Sequence, residues 1–275
     1  MDACLEYLYK LAESYRFIFA VIFFISGTCI GSFLNVLIRR LPEKISILSP
    51  RSFCPQCKKP IRWYDNVPLL SFLVLGGKCR FCHRPISLQY FGVELASGII
   101  FTGLFLYSGI TPELFWALWL ISSLLVVSIV DFRKMIIPDE VTVSGILAGW
   151  FFALMFPQIF GELSHRMALG ESVLGMITGG SLIWLTTFIG DRVFKRESMG
   201  GGDLKLMAMI GAFMGVQGAV LTFFVAPFLA LPSGLIQKLV RKAGTLPYGP
   251  FLAMAAIFNV FFSDWLLGVI LGVQR

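Results

Sequence analysis

Long apolar runs separated by short polar segments dominate the chain and set its predicted architecture. An α-helix needs about 20 apolar residues to cross the hydrocarbon core of a bilayer. Eight runs approach that length, which predicts an all-α polytopic protein embedded in the lipid bilayer. The predicted spans cover 17–38, 88–107, 113–130, 141–160, 172–190, 204–216, 217–236 and 250–272.

The sixth predicted span is the shortest, with 13 residues that reach only about 20 Å as a helix. Joining it to the seventh span would move Lys238, Arg241 and Lys242 to the opposite side of the membrane. We therefore predict two spans, with a tight turn near Gly215 and Gly218.

The distribution of charge orients these spans. Only 14% of the residues are charged, against about 25% in soluble domains. With the N-terminus outside, 19 of the 23 lysines and arginines fall on one side, and the positive-inside rule makes that side cytoplasmic. The net charge of +7 is explained by topology, and we predict no nucleic-acid partner. The first 16 residues carry three acids against two bases, unlike a signal peptide, so we expect the first span to be retained.

The polar segment between the first two spans contains two CxxC pairs, CPQC (54–57) and CRFC (79–82). Two such pairs can place four thiolates tetrahedrally around one Zn²⁺. Two disulfides are the alternative, which the reducing cytoplasm disfavours. We predict a structural zinc site formed by Cys54, Cys57, Cys79 and Cys82.

This site completes the predicted organisation. The chain divides into an outer N-terminus with the first span (1–38), a cytoplasmic zinc loop (39–87) and a transmembrane core (88–275). His83 is predicted to be solvated rather than a metal ligand, and Cys4 and Cys29 are predicted to be ordinary small residues. GTCIG (27–31) is predicted to be a small-residue contact between helices rather than a cofactor site.

Four acidic residues lie near the predicted cytoplasmic ends of spans, where a charge is costly and often functional. They are Glu94, Asp131, Asp139 and Asp203. Asp139 and Asp203 each open a span, so capping of a helix N-terminus competes with function, and it is favoured for Asp139. Glu94 lies about one turn inside its span, where it can pair with a basic loop residue.

Asp131 differs because it ends a span, where the helix dipole disfavours an anion and gives it no local structural benefit. A boundary charge compensated by Arg133 and Lys134 is its alternative explanation. Asp131 and Asp203 are predicted at one membrane depth on different helices. If those helices adjoin, the two carboxylates can activate one water, with Asp203 as the base and Asp131 holding the proton.

Three glycines, Gly200, Gly201 and Gly202, directly precede Asp203. A phosphate-binding loop is disfavoured, because no strand precedes them and no Walker pattern is complete. A flexible loop is a second alternative. A bare backbone that lets an extended peptide approach the carboxylate fits best.

Together these features resemble the type IV prepilin leader peptidases, a family of aspartic peptidases and N-methyltransferases of the bacterial inner membrane. The resemblance rests on GSFLNVLIRRLP (31–42), the four-cysteine loop (54–82), DFRKMIIPDEVT (131–142), GGGDLKLMAMIGAFMG (200–215) and LPYGPFLA (246–253). It extends through nearly the whole chain.

The resemblance implies that Asp131 and Asp203 are the catalytic pair and that the four cysteines bind zinc. It implies a prepilin or pseudopilin substrate, whose leader is cut after a glycine at the cytoplasmic face. The new N-terminal residue, usually phenylalanine, would then be methylated from S-adenosylmethionine. Glu94 is a candidate for a role in methyl transfer, although LQYFGVEL (88–95) departs from the family's Arg-Tyr-Pro before the glutamate.

Other functions use the same residues. A proton-coupled transporter would use Glu94, Asp131 and Asp203 as ion sites, although transport carboxylates more often lie near the midplane. A zinc-loop assembly factor would use the aspartates as caps and boundary charges. A peptidase without methyltransferase activity, as in the archaeal preflagellin peptidases, is the remaining alternative.

Overall fold

The computed structural model describes residues 14–49, 51–195, 199–240 and 246–271. Within these ranges the chain is helical, which confirms the predicted all-α class. The helices are α1 Arg16–Arg40, α2 Leu70–Val74, α3 Leu88–Ser108, α4 Pro112–Lys134, α5 Asp139–Met155, α6 His165–Phe194, α7 Gly201–Val240 and α8 Gly249–Leu271. Three-residue and four-residue 3-10 turns cover Leu41–Glu43, Trp63–Asn66 and Pro157–Phe160.

The lengths of these helices fit a membrane protein. Among the described residues, five helices are long and apolar enough to cross a bilayer, namely α1, α3, α4, α6 and α7. Helix α5 is shorter, with 17 residues. The apolar stretch described in α8 runs over Gly249–Ser263. The membrane-protein class is supported, while the count of eight spans stays a prediction.

Helix α7 covers both the sixth and the seventh predicted spans. It contains a break at Gly215, whose φ of 70° and ψ of −172° are not helical. Glu171 of α6 accepts a hydrogen bond from the backbone N–H of Val216 at 2.9 Å. Ser172 donates to the carbonyl oxygen of Ala212 at 2.5 Å. The break therefore lies where the turn was predicted, and two side chains of α6 satisfy backbone groups that it frees.

By compactness the chain divides into two units, Met1–Leu118 and Trp119–Arg275, and α4 contributes to both. In the first unit α1 and α3 pack antiparallel and in close contact. A Cβ on Gly27 would lie 2.6 Å from the carbonyl oxygen of Ser97, and one on Gly31 would lie 2.8 Å from the Cα of Glu94. The predicted helix contact at GTCIG is confirmed, because no larger residue fits this crossing.

The second unit is built around the first half of α7. Gly175 of α6 contacts the carbonyl oxygen of Gly211 too closely for a side chain to intervene. A Cβ on Gly149 of α5 would lie 2.7 Å from the carbonyl oxygen of Ala212. The fully buried side chains of this half-helix include Leu206, Met207, Met209, Ile210 and Phe213. Close packing on several sides thus fixes the position of the helix that begins beside Asp203.

Candidate active site and metal centre

Asp131 lies in the last turn of α4, and its side chain is buried. Its Oδ2 accepts a hydrogen bond from the backbone N–H of Gly249 at 2.9 Å. Gly249 begins α8, so Asp131 occupies the N-terminus of a helix distant in sequence. The sequence offered Asp131 no local benefit, and its structural partner is indeed a helix that begins 118 residues later in the chain.

Asp203 lies in the first turn of α7 and is also buried. The helix begins at Gly201, which makes Asp203 its third residue rather than its N-cap. The Asp203 carboxylate instead reaches back to the backbone N–H of Gly200, while its own N–H donates to the Gly200 carbonyl oxygen at 3.1 Å. The predicted N-cap role is therefore wrong, because Asp203 accepts a hydrogen bond from the residue before the helix and not from the free N–H groups of its first turn.

Asp131 and Asp203 are brought together within the second unit. Their carboxylates are close enough to interact electrostatically, which meets the condition, left open by the sequence, that their helices adjoin. Tyr248 adjoins the same group, and burial, with a smaller effect of the Asp203 carboxylate, raises the pKa of its hydroxyl to about 12. The site therefore combines two carboxyl groups with a phenol that keeps its proton at neutral pH.

The three glycines before Asp203 occupy different environments. Gly200 and Gly201 are exposed, and a Cβ on Gly201 would have no heavy atom within 4 Å. Gly202 packs on the loop before α5, because its Cβ would lie 3.0 Å from the Cβ of Ile137. Only Gly202 is required by packing, so the other two leave open space on the approach to Asp203.

Asp139 begins α5 but does not cap it. The N-cap position is Pro138, and no side chain caps the helix there. The Asp139 carboxylate instead accepts hydrogen bonds from Lys205 Nζ at 2.7 and 2.8 Å. The prediction of a capping role is wrong, because Asp139 is the first residue inside the helix and its side chain points to Lys205, two residues after Asp203. The pair joins the starts of α5 and α7.

The four cysteines of the loop form a compact cluster. The sulfurs of Cys54, Cys57, Cys79 and Cys82 lie within 4.8 Å of one another. Four thiolates around Zn²⁺ at about 2.3 Å would lie about 3.8 Å apart. The 3.9 Å between Cys54 and Cys82 is close to this value and far longer than a disulfide bond. The donor set and its geometry therefore fit a tetrahedral metal site.

The two cysteine pairs have the same backbone structure, which follows from the related sequences CPQCKKPI (54–61) and CRFCHRPI (79–86). Lys58 donates its N–H to the Cys54 carbonyl, and His83 donates to the Cys79 carbonyl, both at 2.9 Å. Both donors adopt a positive φ, 60° and 54° respectively. The backbone N–H of Cys82, and then that of Phe81, lower the pKa of the Cys79 thiol to about 7. The backbone N–H of Arg84 lowers the pKa of the Cys82 thiol, but burial and the neighbouring thiols together outweigh it and raise that pKa to about 11, so of these two thiols only Cys79 is biased towards the thiolate form.

The remaining predictions near the loop have mixed outcomes. His83 is exposed and lies outside the cluster, as predicted. Cys29 is also exposed, on the outer side of α1, and has no role in the cluster. Cys4 lies outside the described residues.

Glu94 is buried one turn or more inside α3. Its Oε2 accepts the backbone N–H of Leu69 at 2.8 Å, so the predicted pairing with a basic loop residue is wrong. The backbone at Leu69 has a φ of 59°, and the carboxylate binds this strained turn. Glu94 thus attaches the zinc loop to α3.

Two polar side chains near Glu94 were missed from the sequence. Asn35 and Ser97 are each 2% exposed, and Asn35 Oδ1 and Ser97 Oγ have no hydrogen-bond partner within the described part of the chain. Asn35 Nδ2 donates to the carbonyl oxygen of Tyr90 at 3.0 Å. An asparagine within the apolar run of α1, four residues after Gly31, was the available signal.

Gly249 was the other residue that sequence reasoning did not assign to the site. The signal was the Gly249-Pro250 pair, because proline is favoured in the first turn of a helix, where backbone N–H groups are free to bind an anion. The Gly-Pro pattern predicts a helix N-terminus that can bind an anion, but it does not identify the carboxylate that binds there.

A helical membrane protein with two buried, interacting aspartates at helix ends and a four-cysteine cluster defines a class of intramembrane aspartic peptidase. Family comparison is in agreement. Residues 25–108 match the bacterial peptidase A24 N-terminal domain, and residues 118–235 match the type IV leader peptidase family. The chain belongs to the type IV leader peptidase family.

Three relatives show how far the similarity extends, and each is named a prepilin leader peptidase/N-methyltransferase. The Vibrio cholerae protein is 35% identical, over 90% of this chain and 98% of its own. The Klebsiella pneumoniae protein is 37% identical, over 79% and 94%. The Myxococcus xanthus protein is 43% identical, over 82% of this chain but 66% of its own. No solved structure matches the chain.

Proposed function

We propose that the protein cleaves the leader peptide of type IV prepilins or pseudopilins at the cytoplasmic face of the bacterial inner membrane, and that it N-methylates the new N-terminal residue. The observation that carries this proposal is the juxtaposition of Asp131 and Asp203 in one unit. The printed names of relatives that cover most of the chain support the substrate class and both activities.

Cleavage by the pair follows the chemistry of two carboxyl groups that share one proton. The ionised carboxylate removes a proton from water, and the water oxygen attacks the scissile carbonyl carbon. The other carboxyl group gives its proton to the carbonyl oxygen. When the C–N bond breaks, the leaving amine takes up a proton from one carboxyl group, and the other carboxylate recovers a proton from a hydroxyl of the tetrahedral intermediate, which restores the shared proton.

The assignment of the base to Asp203 loses its support. It assumed that Asp131 has no donor, whereas Gly249 donates to Asp131 and Gly200 donates to Asp203. Each carboxylate therefore has one backbone donor, and we propose the shared proton without dividing it between them. The transporter alternative uses the same two acids but predicts no cleavage by the wild-type protein.

For the peptidase, Asp131→Asn and Asp203→Asn should each abolish cleavage of a purified prepilin in nanodiscs. Cleavage at the normal rate by either variant would contradict the dyad.

We propose that Gly200 and Gly201 admit the extended substrate backbone beside Asp203, because both are exposed and the space at Gly201 is open. Gly201→Val should raise KM or lower kcat/KM for a prepilin peptide, with little change in thermal stability. Gly170→Val in α6, whose Cβ also has nothing within 4 Å, is the matched control. Equal effects in both variants would refute the role in substrate access.

The proposed methylation involves the seam between α1 and α3. Glu94, Asn35 Oδ1 and Ser97 Oγ are buried acceptors there, which a cationic group would need, but Gly31 packs so closely on Glu94 and Ser97 that a cofactor would bind beside the seam and not within it. S-adenosylmethionine carries a sulfonium and an ammonium, and when bound it would supply the methyl group to the pilin amine. We propose Glu94 as a positioning residue for this step.

The methyl-transfer proposal is separable from cleavage. Glu94→Gln should leave leader removal intact and reduce the fraction of product that carries one added methyl group, measured by mass spectrometry. Wild-type protein that cleaves but never methylates would show the peptidase-only alternative. Normal methylation by Glu94→Gln would remove Glu94 from the proposal while leaving the peptidase unaffected.

We also propose a structural Zn²⁺ at the four cysteines, eight spans with both termini outside, and the division into 1–38, 39–87 and 88–275. The positions of 19 of 23 basic residues support this topology. Alkaline phosphatase fused after Arg275 should be active, whereas a fusion within the zinc loop should be inactive. The reverse pattern would overturn the orientation.

A further inference from the structure

The zinc loop presents an apolar face that belongs to none of the long helices. Helix α2 has only five residues, yet Leu70, Leu73 and Val74 are 61%, 63% and 79% exposed. Their spacing places them on one side of the helix. Trp63, in the neighbouring turn, is 83% exposed. We call Trp63, Leu70, Leu73 and Val74 the apolar face of the loop.

The opposite side of α2 is attached to the rest of its unit. Phe72 packs against Phe91 of α3, with ring centroids 5.2 Å apart. The Leu69 N–H binds Glu94, as described above. Ser71 Oγ donates to the carbonyl oxygen of Tyr64 at 3.1 Å, which links α2 to the turn that carries Trp63. The orientation of the apolar face is therefore fixed relative to α3.

These attachments set the depth of α2. Arg39, in the last turn of α1, donates to the hydroxyl of Tyr90 at 3.4 Å, and basic residues at a helix end lie at the level of the lipid headgroups. Glu94 lies four residues beyond Tyr90, which is at most about 6 Å deeper along α3. Apolar faces of interfacial helices lie about 5–10 Å below the headgroup surface. The start of α2 is thus at interfacial depth.

The charge around this face matches an anionic surface. Segment 39–87 contains ten lysines and arginines against two acids, a net charge of +8. Lys59 and Arg62 lie over the Phe81 ring at 5.0 and 5.5 Å. Arg80 lies over the Tyr64 ring at 5.6 Å, but its guanidinium is paired with Asp65 and is not a headgroup ligand. Basic groups flank exposed aromatic and aliphatic side chains, the combination that binds anionic lipid interfaces.

We propose that the apolar face of the loop inserts into the inner leaflet, with anionic phospholipid headgroups held by the surrounding basic side chains. The zinc loop is then a membrane-docked element rather than a free cytoplasmic domain. This inference rests on the cytoplasmic placement of 39–87 proposed above, which the phosphatase fusions test separately and without any lipid contact.

Photochemical labelling of the full chain tests the proposal. A benzophenone-bearing phenylalanine replaces Leu73, or Leu48 as a control that lies in the same loop outside α2 and is 90% exposed. The proteins are irradiated in nanodiscs of phosphatidylethanolamine and phosphatidylglycerol, and adducts are identified by mass. We expect at least fivefold more phospholipid adduct at position 73 than at 48. Equal yields of phospholipid adduct at positions 73 and 48 would overturn the proposal. So would crosslinking of position 73 to an added pilin and not to phospholipid.

A second measurement does not depend on the probe. Leu73→Asp/Val74→Asp should increase hydrogen exchange of residues 63–77 severalfold in phosphatidylglycerol nanodiscs and leave it unchanged in detergent, with zinc content retained. Leu48→Asp should have no effect in either medium. Unchanged exchange in nanodiscs, or the same increase in detergent, would show that the face packs on protein and not on lipid.

Discussion

The contact between Gly249 and Asp131 makes a quantitative prediction for Gly249→Ala. A Cβ at this position would lie 2.7 Å from Asp131 Oδ2 and 3.2 Å from its Cγ. An ordinary contact begins near 3.4 Å, so the two groups must separate by about 0.7 Å, the difference between 3.4 and 2.7. The substitution therefore acts directly on one carboxylate of the proposed pair.

The size of the effect follows from the hydrogen bond that this separation breaks. Moving the Gly249 nitrogen and Asp131 Oδ2 apart from 2.9 Å by that amount gives about 3.6 Å, beyond hydrogen-bonding distance. A bond to a charged acceptor contributes about 1.5–3 kcal/mol. With about 1.4 kcal/mol for each factor of ten in rate, kcat should fall about 10- to 150-fold.

The assay is leader cleavage of a purified prepilin by the full chain in nanodiscs, with kcat and KM measured separately. Thermal unfolding and zinc content are measured on the same preparations. Gly170→Ala is the matched control, because a Cβ there contacts nothing within 4 Å, and it should cleave at the wild-type rate. Asp131→Asn gives the rate of cleavage that remains when one carboxylate of the pair is removed.

Three results would refute the reasoning. Wild-type kcat in Gly249→Ala would show that the Gly249 N–H does not orient Asp131 for reaction. A loss of thermal stability as large as the loss of activity would show that Gly249 serves the packing of α8 and not the site. An effect on KM alone would assign Gly249 to substrate binding, against the prediction made here.

Three further predictions follow from other contacts. Gly31→Ala should destabilise the first unit by about 1–3 kcal/mol, seen as earlier unfolding of α1 and α3 in hydrogen exchange, because its Cβ meets the α3 backbone at 2.8 Å. A double-mutant cycle between Lys205→Met and Asp139→Asn should give a coupling below about 1 kcal/mol, because the pair is exposed. The hydrogen bond from Arg80, opposed by partial burial, lowers the pKa of Asp65 below its usual 3.8. The ionised Asp65 therefore stabilises the loop at pH values above 3.8, and this stabilisation is lost as the pH falls through the lowered pKa. Limited proteolysis should thus cut the loop faster in Asp65→Asn than in wild type at pH 7, with the difference vanishing in strong acid.

The sequence was sufficient to predict features that repeat along the chain or that depend on one short segment. The alternation of apolar runs predicted the helices, and the break near Gly215 was predicted because an unbroken span would move the basic residues after it to the outer side. The cluster of Cys54, Cys57, Cys79 and Cys82 followed from spacing alone, because each CxxC pair closes a local turn. Equal depth on different helices made a pair of Asp131 and Asp203 possible only if the two helices adjoin, and the family resemblance supplied the assignment of both as catalytic.

Partnerships between distant segments were not predictable in the same way. Asp131 binds a helix that begins 118 residues later, and Asp139 binds Lys205, 66 residues away. A capping rule considers only the backbone next to an acid. It therefore predicted that Asp139 caps its own helix, and it predicted no hydrogen-bond donor for Asp131. Tertiary packing decides which backbone donor or cation actually reaches the carboxylate.

The break in α7 has a consequence for the segment that carries Asp203. From Gly201 to Met214 the helix has 14 residues, or about 21 Å, against a hydrocarbon thickness of about 30 Å. In the proposed topology, with Asp203 at the inner membrane surface, its far end would lie inside the bilayer, where exposed peptide groups cannot be hydrated. Glu171 and Ser172 bind those groups and anchor the end to α6. The position of Asp203 is thus set by packing on α6 and not by contact with the opposite membrane surface. It should therefore be insensitive to bilayer thickness.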